Sequence, residues 1–537
     1  MRQFASAVSR GFFAFAAVIF SPYNSRVRIL FVQNNGIQES IGIANLSGIL
    51  KAHGHETDLL LVSHTPDLIG AITRYDPGLI AFSALTGVHH SLEQLAVQIK
   101  QHLNIPIIVG GPHPTYSPDM IDRPGIDIIC RGEGELAMLE LAEAMEHGRD
   151  VTKIRNLVVK TRNGAIHRND IRPPVPLDEL PFPDRELYYK YKFLRDMPMK
   201  RFISSMGCPY PCTFCHEPVI REMYRKETKS DYLRRKSVPR IVAEIRYIAE
   251  RYPLNHVHFS DDLFFIRNSY KWLEEFADVY GTQVGIPFNC NIRYDSVNQH
   301  AADLLEKAHC YGAAVGLESG SEEIREVVIK KRSKNENIVE GARLLREKRI
   351  KVLTTNMIGL PGETLDNAME TVELNMRLKS DYVRANTFLL FPGLPLVEYA
   401  RKMGFIDKDF DIDKQIAESQ EITLKTPYAK EFRNIASLFW LMVKCPPSWL
   451  PFLKKVTKLP DNILFRILGS FNMTQELLFY RVRPIPALRY FKNTVMMTGK
   501  SKLNMTMRTI PSLLRRKGDG TEMLGQKEIY EANRGYF

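Results

Sequence analysis

Twice along this chain, short apolar runs alternate with helical segments, and that pattern leaves few folds open. The first series runs from Val27 to about Met145. Arg28-Ile29-Leu30-Phe31-Val32, Thr57–Val62, Leu79–Ser83, Ile105–Val109 and Asp127–Cys130 read as strands, with helices over Ala44–Ala52 and Ser91–Leu103. Continuous apolar strands separated by helices are buried on both faces, which predicts an α/β fold with a doubly wound, Rossmann-like parallel sheet. Ligands of such sheets bind beyond the carboxyl ends of the strands. Those ends carry Gly36, Ser83–Gly87, Gly110-Gly111-Pro112-His113 and Arg131-Gly132-Glu133-Gly134-Glu135. One small-residue loop is an ordinary turn; four on one rim point to a ligand that bare backbone approaches closely.

A second series begins at Arg201. Strands are expected to end at Ser205, Ser260, Asn291, Leu317, Ile358 and about Leu390. Helices are expected over Ser237–Arg251, Asn268–Tyr280, Ser296–Ala308, Asn335–Lys348 and Thr364–Leu378. Six such units fit a partial (β/α)6 barrel, with its active site at the carboxyl ends of the strands. The rim sequences there are Phe259–Phe264, Asn289–Arg293, Gly316–Ser321 and Gly359–Thr364. The expected domains are an N-terminal apolar segment (1–25), the first sheet (26–150), a connector (151–197), the partial barrel (198–403) and a basic, apolar, mostly helical region (404–537). The connector holds an Ile154–Val159 strand, an Asn163-Gly164 turn and the proline-rich run Pro173–Pro183, which suits extended chain.

The loop after the first barrel strand carries the chemistry: Cys208-Pro209-Tyr210-Pro211-Cys212-Thr213-Phe214-Cys215. Two prolines and no strong helix former between the first pair make it a wrapping loop. Three thiolates suit an iron–sulfur cluster, which normally takes four ligands, so one iron is left open. Structural zinc would want a fourth Cys or His at ligand spacing; His216 is adjacent, but Cys215 already occupies that point of the loop. The chain has 7 cysteines, an odd number. The other four, Cys130, Cys290, Cys310 and Cys445, are scattered and read as ordinary buried thiols rather than a disulfide framework.

Charge is distributed unevenly. Of a net charge of +12, residues 430–537 contribute 19 Lys+Arg against 7 Asp+Glu, so the last fifth carries the whole excess. That asymmetry suggests an anionic partner for the tail. Segments such as Trp449–Lys455 and Phe465–Leu468 interleave aromatics and leucines with lysine and arginine. An interfacial helix or hydrophobic substrate lid and a plain helical cap both fit, and both stand open. No run of 18 apolar residues occurs, so a spanning helix is not expected. Met1–Phe20 is similar to a weak signal peptide, with Arg2 and Arg10 before an apolar run. A cluster loop and unpaired cysteines favour a reducing cytoplasm, so the segment reads as an N-terminal helix or a membrane-touching stretch.

The cysteine loop, with Phe214 before its last cysteine, resembles the signature of radical S-adenosylmethionine (radical SAM) enzymes. The rim segments Phe259–Phe264, Gly316–Ser321 and Ile358–Thr364 resemble those of the subfamily with an N-terminal cobalamin-binding domain, as do the Gly110–His113 and Arg131–Glu135 loops. The resemblance covers roughly Val27 to Pro395. It implies that Cys208, Cys212 and Cys215 ligate a [4Fe–4S] cluster whose open iron chelates S-adenosylmethionine, and that reductive cleavage gives a 5′-deoxyadenosyl radical. Phe214, Asp261, Asp262, Arg293, Glu318, Ile358 and Gly359 fall where the family contacts S-adenosylmethionine. Ser83, Thr86, Gly110, Gly111, His113, Gly132 and Glu133 fall where it contacts cobalamin. The Asp-x-His-x-x-Gly motif, whose histidine binds cobalt from below in many such domains, is absent here. Binding without that histidine is common in the subfamily; a degenerate domain is the alternative.

The resemblance implies a cobalamin-dependent methyltransferase acting on an unactivated carbon of a small or lipid-like substrate, with flavodoxin or ferredoxin as electron donor. A radical cyclase or rearrangement enzyme without methyl transfer is the alternative, and an iron–sulfur or cobalamin sensor is the non-enzymatic one. A methylthiotransferase would place three further cysteines in its N-terminal domain, where only Cys130 precedes Cys208. No nucleic-acid-binding module is recognisable, so nucleic acid is not an expected partner. The expected location is cytoplasmic, with peripheral membrane contact through the C-terminal region as an open possibility.

Overall fold

The computed structural model describes residues 27–34, 38–413 and 424–460, with scattered positions between 462 and 480. The apolar segment 1–25, Gly36, Arg466 and most of the basic tail lie outside the described residues. The chain divides into two compact units. The first holds the described residues up to Met197 together with His216–Lys236; the second holds Pro198–Cys215 and the described residues from Ser237 onward.

In the first unit, β1 (Arg28–Gln33), β2 (Glu56–Leu61), β3 (Leu79–Ser83), β4 (Ile107–Gly110) and β5 (Ile128–Cys130) form a parallel sheet in the order β2-β1-β3-β4-β5. The order in which the chain adds strands reverses between β1 and β3, where open α/β sheets form their ligand crevice. One face is sealed by Leu92, Leu95 and Ile99 of the helix His89–His102, packed with Leu30, Val32, Ile80, Phe82, Ile107 and Val109. Each such buried side chain contributes about 1.5–3 kcal/mol. Residues 151–197, expected as a connector, extend this sheet: β6 (Leu157–Lys160) pairs antiparallel with β5, and β7 (Ile166–Arg168) with β6. The Asn163-Gly164 turn closes that hairpin, with Gly164 at φ 84° and the Thr161 hydroxyl donating to the Ala165 carbonyl at 2.9 Å.

In the second unit, six strands pair in chain order, all parallel: Met199–Phe202, His256–Phe259, Phe288–Ile292, Cys310–Glu318, Lys351–Ile358 and Tyr382–Thr387. Among the described residues, the first and last are the edge strands of an open sheet. Helices return between the strands where caps dictate. Ser237 caps Val238–Ala249, which has proline in its first turn, and Asn298 caps Gln299–Lys307. Thr364 and Asn367 form a reciprocal capping box at the start of Leu365–Leu378. The first strand stops at Phe202, short of Ser205, because Ser204 and Ser205 turn to the Asp261 carboxylate. Phe259, Phe264, Phe276, Tyr280 and Phe288 interlock edge-on and tilted at 4.8–5.7 Å around the second and third strands. The described part of the C-terminal region is helical. Ala429–Lys444 buries Phe432, Ile435, Leu438, Phe439 and Met442, and its Lys444 ammonium donates to the Ser380 carbonyl at 2.5 Å. Among the described residues, no helix is long and apolar enough to cross a membrane.

Candidate active site

The cysteine loop leaves the first strand of the second unit through Gly207, whose φ of 87° suits glycine. Its anchor is Thr213. The Thr213 N–H donates to the Ile329 carbonyl at 3.1 Å, its hydroxyl donates to the Val328 carbonyl at 2.8 Å, and its own carbonyl accepts from Leu396 N–H at 3.0 Å. The two receiving carbonyls end a π-helical turn, Ile324–Val328, a geometry frequent at functional sites. Cys212 is buried, Cys208 and Cys215 are half-buried, and none of the three is in a disulfide. Burial raises the Cys212 thiol, while Lys331 and Arg293 pull it back down. Three soft donors outside any disulfide on one pinned loop, with two cations beside them, fit an iron–sulfur cluster.

Those cations are fixed. The guanidinium of Arg293 makes a double hydrogen bond to Asp295 at 2.9 and 2.7 Å and donates to the Arg332 carbonyl at 3.2 Å. Lys331 pairs with Glu318 at 3.2 Å. Glu318 ends its strand with φ at 69°, a left-handed conformation that costs a non-glycine residue about 1–3 kcal/mol and clusters at functional sites. Gly316 leaves room for this fold-back, since a Cβ there would collide with the Glu318 carboxylate and stand 2.7 Å from the Lys331 ammonium. A small cavity opens against Arg293, Gly316 and Lys331.

Arg325 holds the Gly316–Ser321 rim from below. It is 1% exposed and donates to the Ser319 carbonyl at 2.6 Å, to the Ser333 carbonyl at 3.0 Å and to the Asn335 amide oxygen. Gly320 is required there because a Cβ would strike the Glu370 carbonyl. In the Phe259–Phe264 rim, the two carboxylates face different surroundings. Asp261 is buried and accepts from Ser204 N–H and both serine hydroxyls, so it braces the strand that feeds the cysteine loop. Asp262 is exposed at the rim. Crowding by protein, then the like charge of Asp261, pushes its carboxyl up to about 6, against the Gly207 N–H it accepts. Ile358 is buried and Gly359 takes φ 89°. Both Gly359 and Leu360 donate N–H to one oxygen of Glu363, whose other oxygen has no partner. Burial pushes that carboxyl up to about 8. Phe214 is half-buried on the cysteine loop.

In the first unit, the ends of β3 and β4 are laced together. Ala84 N–H donates to the Gly110 carbonyl at 2.8 Å, and His113 N–H donates to the Ala84 carbonyl at 3.1 Å. Gly111, at φ 100°, permits that closeness. Ser83 is exposed at the end of its strand. Thr86 bonds the His113 ring nitrogen at 3.1 Å and the Tyr116 hydroxyl. The His113 ring stacks on His89 at 3.8 Å, and burial holds both imidazoles neutral, with His113 lowered to about 4. The Arg131–Glu135 loop follows β5, with Gly132 at φ 69° and its N–H on the Thr115 hydroxyl at 3.0 Å. Side-chain-free backbone at Gly110 and Gly111, at the end of the strand next to β3, fits a bulky flat cofactor.

A B12-binding domain model matches residues 27–142, and a radical SAM superfamily model matches residues 202–374. The chain carries a B12-binding domain followed by a radical SAM domain. An uncharacterized methyltransferase of Pyrococcus horikoshii is 27% identical over 339 residues, covering 62% of this chain and 72% of that protein. An anaerobic magnesium-protoporphyrin IX monomethyl ester cyclase of Rubrivivax gelatinosus is 24% identical over 416 residues, covering 72% of each. The structure of the radical S-adenosylmethionine methyltransferase TsrM from Kitasatospora setae, with cobalamin and a [4Fe–4S] cluster bound, superposes with a TM-score of 0.63. The alignment covers 87% of this chain and 99% of that one at 18% identity, a likeness of fold. The radical SAM domain implies a [4Fe–4S] cluster and S-adenosylmethionine as cofactors, and the B12-binding domain implies cobalamin. No local sequence pattern marks Tyr210, Arg325, Lys331 or Glu363 for the site. Each meets its partner through the fold, except Glu363, whose three-residue reach back to Leu360 follows the Gly359-Leu360-Pro361-Gly362 turn.

Proposed function

We propose that this protein methylates an unactivated carbon of a small or lipid-like molecule. The reading rests on one pairing: a rim loop of three cysteines outside any disulfide in the same chain as a B12-binding domain. When bound, the cluster and cobalamin supply reductive cleavage of S-adenosylmethionine and a methyl group. The chain's own residues bind and orient. Cys208, Cys212 and Cys215 hold iron, with Thr213 keeping their loop in place. Arg293, Lys331 and Glu318 present fixed charges of both signs to the ammonium and carboxylate of S-adenosylmethionine. The turned backbone at Ile358–Gly359, braced by Glu363, offers an edge for its adenine, with Phe214 and Asp262 at the same rim. Ser83, Thr86, Gly110, Gly111 and His113 are the positions proposed to face cobalamin.

Anaerobic incubation with methyl-labelled S-adenosylmethionine, a flavodoxin or ferredoxin donor and candidate substrates tests the proposal. Label in the product is the expected result. 5′-Deoxyadenosine without labelled product would favour the ring-closing reading, which the cyclase of Rubrivivax gelatinosus supports.

A lipid-like substrate and peripheral membrane contact are supported by the described C-terminal helices. Trp449 and Phe452 are 56% and 63% exposed, beside Lys454, Lys455 and Lys458. Between Glu431 and Asp461 the sequence has five basic and no acidic residues. Exposed aromatics flanked by lysines suit an anionic bilayer surface. Co-sedimentation with phosphatidylglycerol vesicles, reduced by Trp449→Ala with Phe452→Ala, is the expected behaviour; equal sedimentation of both proteins would remove this part of the proposal.

A further inference from the structure

The Arg131–Glu135 loop is engaged by side chains from far along the sequence. Tyr224, on the helix Glu217–Thr228, is fully buried, and its hydroxyl accepts the Glu133 N–H at 2.9 Å. A side chain at Gly132 would collide with that hydroxyl. The Glu133 carboxylate is taken by the guanidinium of Arg234, one contact measuring 3.1 Å, and by Val175 N–H at 3.3 Å. Both members of the ion pair are largely buried, at 13% and 14% exposed. Tyr232 stacks on Tyr224 at 4.8 Å and lies 5.5 Å beneath the Arg234 guanidinium. Arg131 adds a second pair, to Glu227 at 2.8 Å, whose other oxygen accepts Ile171 N–H at 3.4 Å. All of these partners lie in His216–Lys236 or in the sheet unit, and His216 directly follows the third cluster cysteine.

We propose that Glu133, Tyr224 and Arg234 are positioning residues that fasten the chain leaving Cys215 onto the B12-binding fold. Their bonding capacity is spent on that task, so Gly132 and Glu133 act as an anchor for the helix Glu217–Thr228 rather than as cofactor contacts. The anchor reaches the cofactor loops through Gly132 N–H on Thr115, two residues from His113 in the short helix Pro112–Tyr116. It reaches the cluster loop through the covalent chain, since His216 directly follows Cys215. This inference does not depend on methyl transfer.

The full-length protein without added cofactors is examined first, by hydrogen–deuterium exchange. Arg234→Met leaves Glu133 buried and unpaired, and exchange across residues 217–228 is expected to rise by about tenfold or more. Tyr224→Phe removes one hydroxyl and is expected to raise it by about fivefold. Glu133→Arg combined with Arg234→Glu should restore protection relative to either single change. Hydroxocobalamin affinity, titrated by absorbance, should stay within about threefold of the parent, since charged hydrogen bonds to a ligand would cost more than tenfold. After iron and sulfide reconstitution, the electron paramagnetic resonance signal of the reduced cluster should change in both single variants. Loss of cobalamin affinity with unchanged exchange would assign Glu133 to the cofactor and overturn the proposal. Unchanged exchange in both variants, or an unaltered resonance signal, would overturn it as well. Should Arg234→Met fail to fold, Tyr224→Phe decides.

Discussion

The guanidinium of Arg293 lies 3.9 Å from the ring centroid of Tyr210, and Tyr210 sits midway between Cys208 and Cys212. The same guanidinium is held in plane by Asp295. A cation over an aromatic face at a partly desolvated site contributes about 0.5–2 kcal/mol, so this stack helps shape the cysteine loop before any metal arrives. Tyr210→Leu should therefore lower the iron bound per chain after reconstitution and raise loop exchange by up to about tenfold, whereas Tyr210→Phe should retain both. Iron and sulfide assays on the two variants side by side check this.

The seven cysteines should fall into two classes. Replacing Cys208, Cys212 or Cys215 by alanine should abolish cluster absorbance and 5′-deoxyadenosine formation. Cys290→Ala, in the fully buried core of the third strand, should keep both and lose about 1–2 kcal/mol of stability through the cavity it leaves. Absorbance spectra and thermal melts distinguish the classes.

Glu363 makes stability depend on pH in an unusual direction. Its folded carboxyl is raised to about 8 from an ordinary 4.5, chiefly by burial. The folded state therefore holds a proton that the unfolded chain releases. Its contribution is fully present below the unfolded value and is lost as pH rises through the folded one. Stability should fall by up to about 1.4 kcal/mol per pH unit between about pH 5 and about pH 8. Glu363→Gln keeps the acceptor for Gly359 and Leu360 and should flatten that slope in denaturant titrations run across the range.

Gly320→Ala should be among the costliest small changes in the chain. The added methyl strikes the Glu370 backbone carbonyl, and neither element can yield cheaply; about 3 kcal/mol is expected, seen as a drop of several degrees in Tm. Gly42→Ala, in the helix Ile41–Ala52 with open space around it, should instead stabilise by about 0.5–1 kcal/mol. Calorimetry of both variants checks the contrast.

What could be read in the sequence was what local physics decides. Ser237 and Thr364 stand where two helices are expected to begin and cap them within four residues, while Asn298 caps a helix that begins beyond its expected start at Ser296. The parallel sheet of the first unit follows from apolar runs at Ile29–Val32 and Leu79–Phe82 that burial on both faces explains. The cysteine loop was legible because its spacing is local too. Partnerships across long stretches of chain were not. Arg325 looks like any helix arginine until Ser333 and Asn335 turn out to crown it. Asp261 and Asp262 are adjacent and identical in type, yet serines from the preceding strand occupy one and leave the other at the rim. Of the β6–β7 hairpin, a strand over Ile154–Val159 and the Asn163-Gly164 turn were legible, but its antiparallel pairing onto β5 was not, because that partnership is set by the fold.

The return of His216–Lys236 to the first unit makes the two units interlaced along the sequence. No single cut yields both as intact pieces. A truncation after Met197 would leave the B12-binding fold with Gly132 and Glu133 facing a gap where Tyr224 and Arg234 belong. A fragment starting at Pro198 would carry the cysteine loop but also a 21-residue excursion stripped of its seat. Gene dissection at either boundary should yield insoluble or cofactor-poor products. The arrangement also means that recombination in evolution must exchange the two domains together, as one heritable cassette.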